Sequence, residues 1–145
     1  MPGVQRRELP RWEALDLLRS TSICRICIVD HGCPVALPMN FRVIGDVHDF
    51  RIVLRAARDT AVGGYVGPAS LEADEIHLDR GIAWSVIVRG ELLPAMRTDG
   101  LLDPAPMLQD RHEWLLLEPA SITGRRFTFE TAQDSFSVDW DLAPA

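Results

Sequence analysis

Several features of other protein classes are missing from this sequence, beginning with any segment that could cross a membrane. None of its 145 residues belongs to an apolar run approaching the roughly 20 residues of a membrane-spanning helix. The basic residues Arg6 and Arg7 precede no apolar run, so the N-terminus does not resemble a secretion signal. The chain also contains no internal repeat and no low-complexity tract. We expect one cytoplasmic domain over residues 1–145, with a core at about 10–130 and a C-terminal arm at about 131–145.

Cysteine is scarce, and its count of three is odd. An odd count argues against a disulfide framework and is typical of a reducing compartment. Cys24 and Cys27 have the C-x-x-C spacing of metal ligands, but no second pair is present to complete a zinc site. Residues three apart in a strand also point to opposite faces of the sheet. We therefore predict buried structural cysteines and no metal site.

The chain has no excess of basic residues, since its formal net charge at pH 7 is −6. Proteins that bind nucleic acids or acidic membranes neutralise phosphates with a basic surface, so we expect neither partner here. Small anionic ligands are compatible with this charge, because a few local arginines suffice to hold them. Glu72 and Asp74 fall on one face of a predicted strand, where we expect both carboxylates to be solvated rather than to bind a metal.

Strong catalytic motifs are absent as well. The sequence contains no G-x-S-x-G elbow, P-loop, H-E-x-x-H or G-x-G-x-x-G motif, and its four histidines fall in predicted turns or loops. The pattern therefore identifies no catalytic residue. Arg51 and Arg55 share a strand face, Arg58 lies at a possible helix start, and Arg125 follows Gly124 in a turn. Such guanidinium groups either hold a phosphate or form an ordinary solvated basic face.

The clearest element that is present is a long strand over residues 83–94. Branched residues at its centre favour a pleated backbone. Alternation places four apolar side chains on one face, namely Trp84, Val86, Val88 and Leu92. The other face is mixed, which is typical of a central strand in a barrel or sandwich. Gly90 in the strand interior predicts a bulge where a closed sheet must bend.

The remaining segments predict further strands linked mainly by hairpins. A helix is expected over residues 11–20, two helical turns at 57–62, a polar loop at 75–81, and an alternating edge strand or partner-binding arm at 136–142. Strands are expected at residues 23–29, 33–43, 50–55, 69–74, 114–117 and 122–129. The fold class is thus mainly β, a six-stranded antiparallel β-barrel with an N-terminal helix and one or two short helices.

Four segments in this order resemble a known family. They are residues 26–41 (ICIVDHGCPVALPMNF), 71–76 (LEADEI), 83–91 (AWSVIVRGE) and 122–127 (ITGRRF). Together they resemble the FMN-binding split-barrel proteins related to pyridoxamine 5′-phosphate oxidase, in the small actinobacterial-type branch. No single segment is specific, but the four in the right order span most of the chain.

The resemblance implies a split barrel that forms a homodimer with two flavin mononucleotide (FMN) sites at the subunit interface. It implies that the isoalloxazine ring is lined by Pro38, Met39, Asn40 and Phe41, and that Trp84 and Ser85 lie near it. The implied activity is that of an oxidoreductase acting on a small molecule, in which the flavin carries the redox chemistry. A related variant of the fold uses the deazaflavin cofactor F420, and the sequence does not separate the two or identify the substrate.

The stretch that holds the phosphate in relatives departs from their pattern here. Relatives have the form Arg-Thr-x-x-Gly-(Ser/Thr)-Lys-Leu, whereas residues 54–61 read LRAARDTA. Arg55 and Arg58 are therefore expected to hold the phosphate, with Thr60 at the position of the lysine, Arg125 nearby, and Asp59 opposing them. This departure also supports an alternative, a cofactor-free dimer acting as a binding or structural protein.

Overall fold

The computed structural model describes residues 3–57, 59–95 and 112–130. Within these ranges the chain forms one helix and seven strands. The elements are, in chain order, β1 (Gln5–Glu8), α1 (Arg11–Arg19), β2 (Ile23–Asp30), β3 (Cys33–Gly45), β4 (Phe50–Ala57), β5 (Gly67–His77), β6 (Ile82–Pro94) and β7 (His112–Thr128). The predicted arm at 136–142 and the side chain of Arg58 lie outside the described residues.

The strands close into an antiparallel barrel. Their order is β1-β7-β4-β3-β2-β5-β6, and the pairing of β6 with β7 completes a ring of six strands, β2 to β7. β1 adds a short exposed edge beside the end of β7. β3 pairs with β2 as far as Asn40 and with β4 from Phe41 onward, so the barrel is split beside this strand. The prediction of a mainly β split barrel is confirmed.

The strands are steeply staggered around the barrel. Cross-strand partners define one row of outward-facing residues that runs around the barrel. Where a ladder ends before it reaches the row, the same pairing is extended by one or two residues. The row starts at Trp114 of β7 and, after one circuit of the barrel, returns to the same strand at Arg125, eleven residues further along. Such a stagger accompanies strand tilt in closed barrels. The members of the row are Trp114, Arg55, Asn40, Ile23, Asp74, Ser85 and Arg125.

The core fills the barrel with the inward-facing side chains. Trp84, Val86, Val88 and Leu92 are all at most 4% exposed, as the alternation in β6 predicts. No polar or charged residue within the described ranges is buried. α1 closes one end, because its buried face (Ala14, Leu15, Leu18) joins this core.

β6 and β7 carry the predicted irregularity at Gly90. The pairing shifts there, since Arg89 pairs with Ser121 and Gly90 with Pro119, which leaves Ala120 as an extra residue in β7. A Cβ atom at position 90 would lie 2.0 Å from the carbonyl oxygen of Glu118. The close approach of the two backbones therefore requires glycine at this position.

The structure corrects several predicted boundaries. β5 continues to His77 where a polar loop was expected, because residues 75–77 pair in register with residues 82–84 of β6. Residues 59–64 form turns rather than helix. β7 runs as one strand through Pro119, since the bulge beside Gly90 accommodates a residue without a backbone N–H. The edge strand β1 was not predicted.

The cysteines are unpaired, as expected, but they are not all buried. Cys24 is 2% exposed, Cys27 is half-buried on the opposite face, and Cys33 is exposed at the start of β3. Burial raises the pKa of the Cys24 thiol. No group of side chains with metal-binding potential occurs within the described ranges. The helix that these ranges contain has nine residues and does not have the length to cross a bilayer.

Candidate functional site

A cavity of about 620 Å³ opens where the end of α1 meets the split edge of β3. Its volume lies within the range of small-molecule sites, which is roughly 300–1,000 Å³. Two arginines, an amide, hydroxyls and apolar side chains line it, a mixture that suits a ligand with both flat apolar and polar parts. The lining residues are Leu18, Arg19, Ser20, Thr21, Ser22, Asn40, Phe41, Arg42 and Val43.

On the side of β3 that borders the cavity, the strand has no neighbouring strand after Asn40. The N–H of Phe41 donates to the carbonyl of Ser22 at 3.1 Å, beyond the end of the β2 ladder. Residues two apart in an antiparallel strand direct their backbone groups to the same side, so the backbone of Val43 also faces the cavity. Gly45 continues this pattern, because its carbonyl accepts a hydrogen bond from Nη2 of Arg19. The split in the barrel thus supplies backbone donors and acceptors to the site.

Asn40 has half of its hydrogen-bonding capacity unused in this cavity. Its Nδ2 donates to the carbonyl of Ser22 at 3.2 Å. Its Oδ1 is buried and has no hydrogen-bond partner among the described residues. A buried acceptor without a donor costs free energy, so this oxygen marks a position where a ligand N–H or O–H would be stabilised.

An arginine cluster, defined as Arg42, Arg51 and Arg55, lies beside the cavity on the outer face of β3 and β4. Arg42 pairs across the strands with Val53, and the other two arginines flank Val53 on β4. Diagonal neighbours of this kind are about 7–8 Å apart. Arg51 lies 3.7 Å from Glu118, whereas Arg42 forms no ion pair within the described ranges. Three arginines therefore lie on one outer face of an acidic protein.

Arg55 of this cluster is held by an aromatic ring. Its guanidinium lies 5.3 Å from the centroid of the Trp114 ring, its register partner on β7. A cation–π contact at this distance restricts the side chain while leaving its N–H groups in the plane able to donate. Thr60 is exposed in the following turn, and its hydroxyl donates to the carbonyl of Ala57 at 2.7 Å. Asp59, beside it, is exposed.

The other sequence-predicted site residues lie apart from the cavity. Ser85 is half-buried on the outer face of β6, between Asp74 and Arg125. Arg125 is exposed and forms an ion pair with Glu8 at 3.2 Å. Two of the six barrel strands lie between Ser85 and Asn40 in either direction, so the two residues are three inter-strand steps apart, about 14 Å along the sheet. Half of the circumference therefore lies between these two parts of the predicted site.

Three more predicted site residues face inward. Met39, Phe41 and Trp84 are 7%, 2% and 4% exposed. Of these, only Phe41 contributes to the cavity wall. The indole Nε1 of Trp84 donates to a carboxylate oxygen of Glu75 at 3.3 Å. Pro38, which directly precedes Met39 in β3, is exposed on the outer face.

Arg19 and Arg42 are the charged residues of the cavity wall, and the sequence identified neither of them as a site residue. Arg19 lies in the last turn of α1, and only the packing of that helix brings it to the carbonyl of Gly45. Arg42 directly follows the predicted ring-lining segment and alternates with Asn40. That alternation was the available signal, since residues two apart in a strand share a face.

A charged cluster on the outer face of β2 and β5 also differs from expectation. Arg25 donates to Glu72 at 3.2 Å and to Asp74 at 3.3 Å. The side chain of Glu72 is only 25% exposed, so it is not fully solvated as predicted. Burial, together with the neighbouring Asp74, raises the pKa of Glu72 to about 7. Two carboxylates here share one guanidinium.

The fold defines a class of protein, the antiparallel split barrels, and this one has a cavity at the split. A family model described as pyridoxamine 5′-phosphate oxidase matches residues 10–126 of the chain. The chain therefore belongs to the pyridoxamine 5′-phosphate oxidase family. No curated protein compared with the chain matches it.

Solved structures with the same fold agree with this membership. A candidate pyridoxamine 5′-phosphate oxidase from Corynebacterium glutamicum is 28% identical with a TM-score of 0.70, covering 86% of this chain and 94% of that one. The FAD-binding protein of Mycobacterium smegmatis is also 28% identical, with a TM-score of 0.68 and coverage of 84% and 98%. An FAD- and haem-binding protein of Mycobacterium smegmatis is similar in fold, at 17% identity, a TM-score of 0.59 and coverage of 85% and 73%.

Proposed function

We propose that the protein is a flavin-dependent oxidoreductase whose cofactor ring lies in the cavity beside Asn40 and whose phosphate lies at the arginine cluster. One observation carries this proposal. The cavity and the cluster are contiguous, because Arg42 both lines the cavity and stands beside Arg51 and Arg55. A flavin nucleotide has the same two parts, a flat ring system with polar edges and an anionic phosphate.

The residues present fit such a group. The cavity of about 620 Å³ has room for a ring system of flavin size. The buried Oδ1 of Asn40 lacks a donor among the described residues, and a flavin ring carries an imide N–H. Charge-assisted hydrogen bonds to phosphate suit guanidinium groups, and Arg42 has no competing ion pair within the described ranges.

The bound flavin would supply the electron transfer to or from a small-molecule substrate. The residues of this chain bind and orient it. Asn40 fixes the polar edge of the ring, while Leu18 and Phe41 provide an apolar wall that excludes water. The arginine cluster neutralises the phosphate, and the stacking of Arg55 on Trp114 limits the conformational entropy lost on binding.

We further propose that the protein acts as a homodimer with two sites between the subunits. Asn40 and Ser85 lie three strands apart, so a ligand in the cavity does not reach Ser85 or Arg125 of the same chain. The partner subunit's Ser85 and the partner subunit's Arg125 would complete the site in a two-fold arrangement. This arrangement is the one that the family resemblance implies, and it needs no rearrangement of the barrel strands.

Titration with a series of flavins tests the proposal. FMN, FAD, riboflavin and F420 would be added to the purified protein while flavin fluorescence and the visible spectrum are recorded. FMN is expected to bind more tightly than riboflavin, which lacks the phosphate, and FAD is included because the Mycobacterium smegmatis relative binds it. Arg42→Ala should weaken FMN binding by roughly ten- to a hundredfold and weaken riboflavin binding much less, because riboflavin lacks the phosphate. Arg80→Ala, in an exposed turn between β5 and β6, is the matched control.

The alternative is a cofactor-free dimer that acts as a binding or structural protein. Two observations favour it. The hydroxyl of Thr60 is engaged with the carbonyl of Ala57, and Asp59 places a negative charge beside it, so this turn offers a phosphate little. Failure of all four flavins to bind would select this alternative, whereas binding of F420 alone would assign the deazaflavin variant.

A further inference from the structure

An outer face of the barrel, here called the β5–β6 face, combines small side chains with charges of opposite sign. It comprises the outward residues of β5 and β6 and their neighbours on β2 and β7. Several of the outward side chains on this face are short, so the strands that carry them can be approached closely. These short residues are Cys27, Ser70, Ser85, Ser121 and Thr123.

The charges on this face are equal in number, but they are not all paired within one chain. Arg25 serves both Glu72 and Asp74, so this group of three carries a net charge of −1 when all are ionised. Arg89 projects from β6 on the same face, pairs across the strands with Ser70, and is exposed. It forms no hydrogen bond or ion pair within the described ranges. One unsatisfied negative group and one unsatisfied cation therefore lie on neighbouring strands.

We propose that the β5–β6 face packs against the same face of a second copy, with Arg89 of each chain bound to Glu72 and Asp74 of its partner. The inference rests on the proposed homodimer and specifies its contact. In a two-fold interface residue i contacts residue j and j contacts i, so a face with one unpaired cation beside one under-neutralised acidic pair complements itself. The short side chains between these charges allow the two sheets to approach closely enough for the pairing.

The environment of the acids supports this contact. Glu72 is only 25% exposed and faces Asp74 on its own strand and Arg25 and Cys27 on β2. Burial and the neighbouring Asp74 raise the pKa of Glu72 to about 7, although Arg25 acts to lower it. The partner's Arg89 would supply the missing cation, and close charge pairs of this kind set partner choice and register at interfaces.

A charge-swap experiment tests the contact by sedimentation. Arg89→Glu and Asp74→Arg should each raise the dissociation constant of the dimer at least roughly tenfold, because each makes the face repel its own copy. An equimolar mixture of the two variants should form dimers again, since both cross-interface contacts then join opposite charges. Arg80→Glu, an exposed arginine in the turn after β5, should leave the dissociation constant unchanged.

The outcomes separate this inference from the proposed function. Recovery of dimers in the mixture also shows that both variants are folded, so loss of association alone cannot be ascribed to misfolding. Dimerisation of Arg89→Glu with wild-type affinity, or a mixture no more associated than its components, would overturn the contact while leaving the dimer and flavin binding intact. A monomeric wild type would overturn the contact and the proposed dimer together. The flavin titration would still show whether the protein binds a flavin.

Discussion

Replacing Gly90 by alanine should be far more damaging than replacing Gly124, although both glycines lie in the β6–β7 pair. Neither has a positive φ angle, so neither substitution is opposed by local backbone strain. The two differ in what an added Cβ atom meets. At Gly90 it would lie 2.0 Å from the carbonyl oxygen of Glu118 and 3.0 Å from Cα of Pro119. At Gly124 the nearest atoms, at 3.0 Å, are side-chain carbons of Ala14 and Leu9.

These distances give the expected magnitudes. Relief of the contact at position 90 needs a displacement of about 1 Å between two backbones, enough to break hydrogen bonds of normal length. Loss of two ladder bonds at about 1 kcal/mol each, with overpacking of about 1–3 kcal/mol, predicts a loss of about 3–5 kcal/mol for Gly90→Ala. At Gly124 a shift of a few tenths of an ångström by α1 suffices. The reduced entropy of the unfolded chain, worth about 0.4–1 kcal/mol, offsets most of that cost.

Urea denaturation of the two variants and the wild type, at one protein concentration, measures the difference. The urea midpoint should fall sharply for Gly90→Ala. For Gly124→Ala the free energy of unfolding should fall by less than about 1 kcal/mol, and the dependence of that free energy on urea concentration should be unchanged in both variants. A fixed concentration is needed because association contributes to apparent stability. Equal losses for the two variants would refute the reasoning, because they would show that the close approach of β6 and β7 at the bulge is not rigid.

Three further outcomes follow from the site and the charged face. Asp59→Ser should tighten FMN binding, more at low salt than at high salt, and leave riboflavin affinity unchanged in the same titration. Trp114→Leu should weaken FMN binding severalfold by releasing Arg55 from its ring contact, with Trp12→Leu on the exposed face of α1 as the control. The pKa of Glu72 is raised to about 7 in one chain, and the proposed contact with the partner's Arg89 would favour its charged form. Dimerisation should therefore release protons and tighten roughly ten- to a hundredfold from pH 6 to pH 8. Sedimentation of Glu72→Gln should lack this dependence, and tightening of the wild-type dimer toward low pH would contradict the pairing.

The sequence predicted the barrel strands because each strand has one face toward the core and one toward the outside, so apolar residues alternate along it. Alternation at Trp84, Val86 and Val88 predicted both the strand and its buried face. Boundaries failed where pairing with a neighbour overrides local preference. Pro119 suggested a break in β7, but at a bulge its missing N–H costs nothing. Polar residues after Asp74 suggested a loop, but the register with β6 carries β5 on to His77.

The site was only half accessible to sequence reasoning, for a geometric reason. The family resemblance of their segments associated Asn40, Phe41 and Arg55, and the structure places all three on the paired strands β3 and β4. Arg19 comes to the cavity through the packing of a helix, which no local pattern encodes. Thr60 illustrates the converse, since its position in the segment predicted a ligand contact but its hydroxyl is bound to the backbone.

The charged face shows most clearly what register adds to pattern. Glu72 and Asp74 alternate with apolar residues, and alternation alone predicted solvated carboxylates. Pairing of β2 with β5 brings Arg25 across from them, and the surrounding strands then shield the acids from water. A carboxylate shielded in this way but incompletely paired is costly in a lone chain, because burial penalises its charge. That cost is lowered only by a proton or by another cation. An unpaired cation within the described ranges, Arg89, projects from the neighbouring strand diagonally beside Glu72, and in the dimer proposed above the partner's Arg89 would supply the cation that these acids lack.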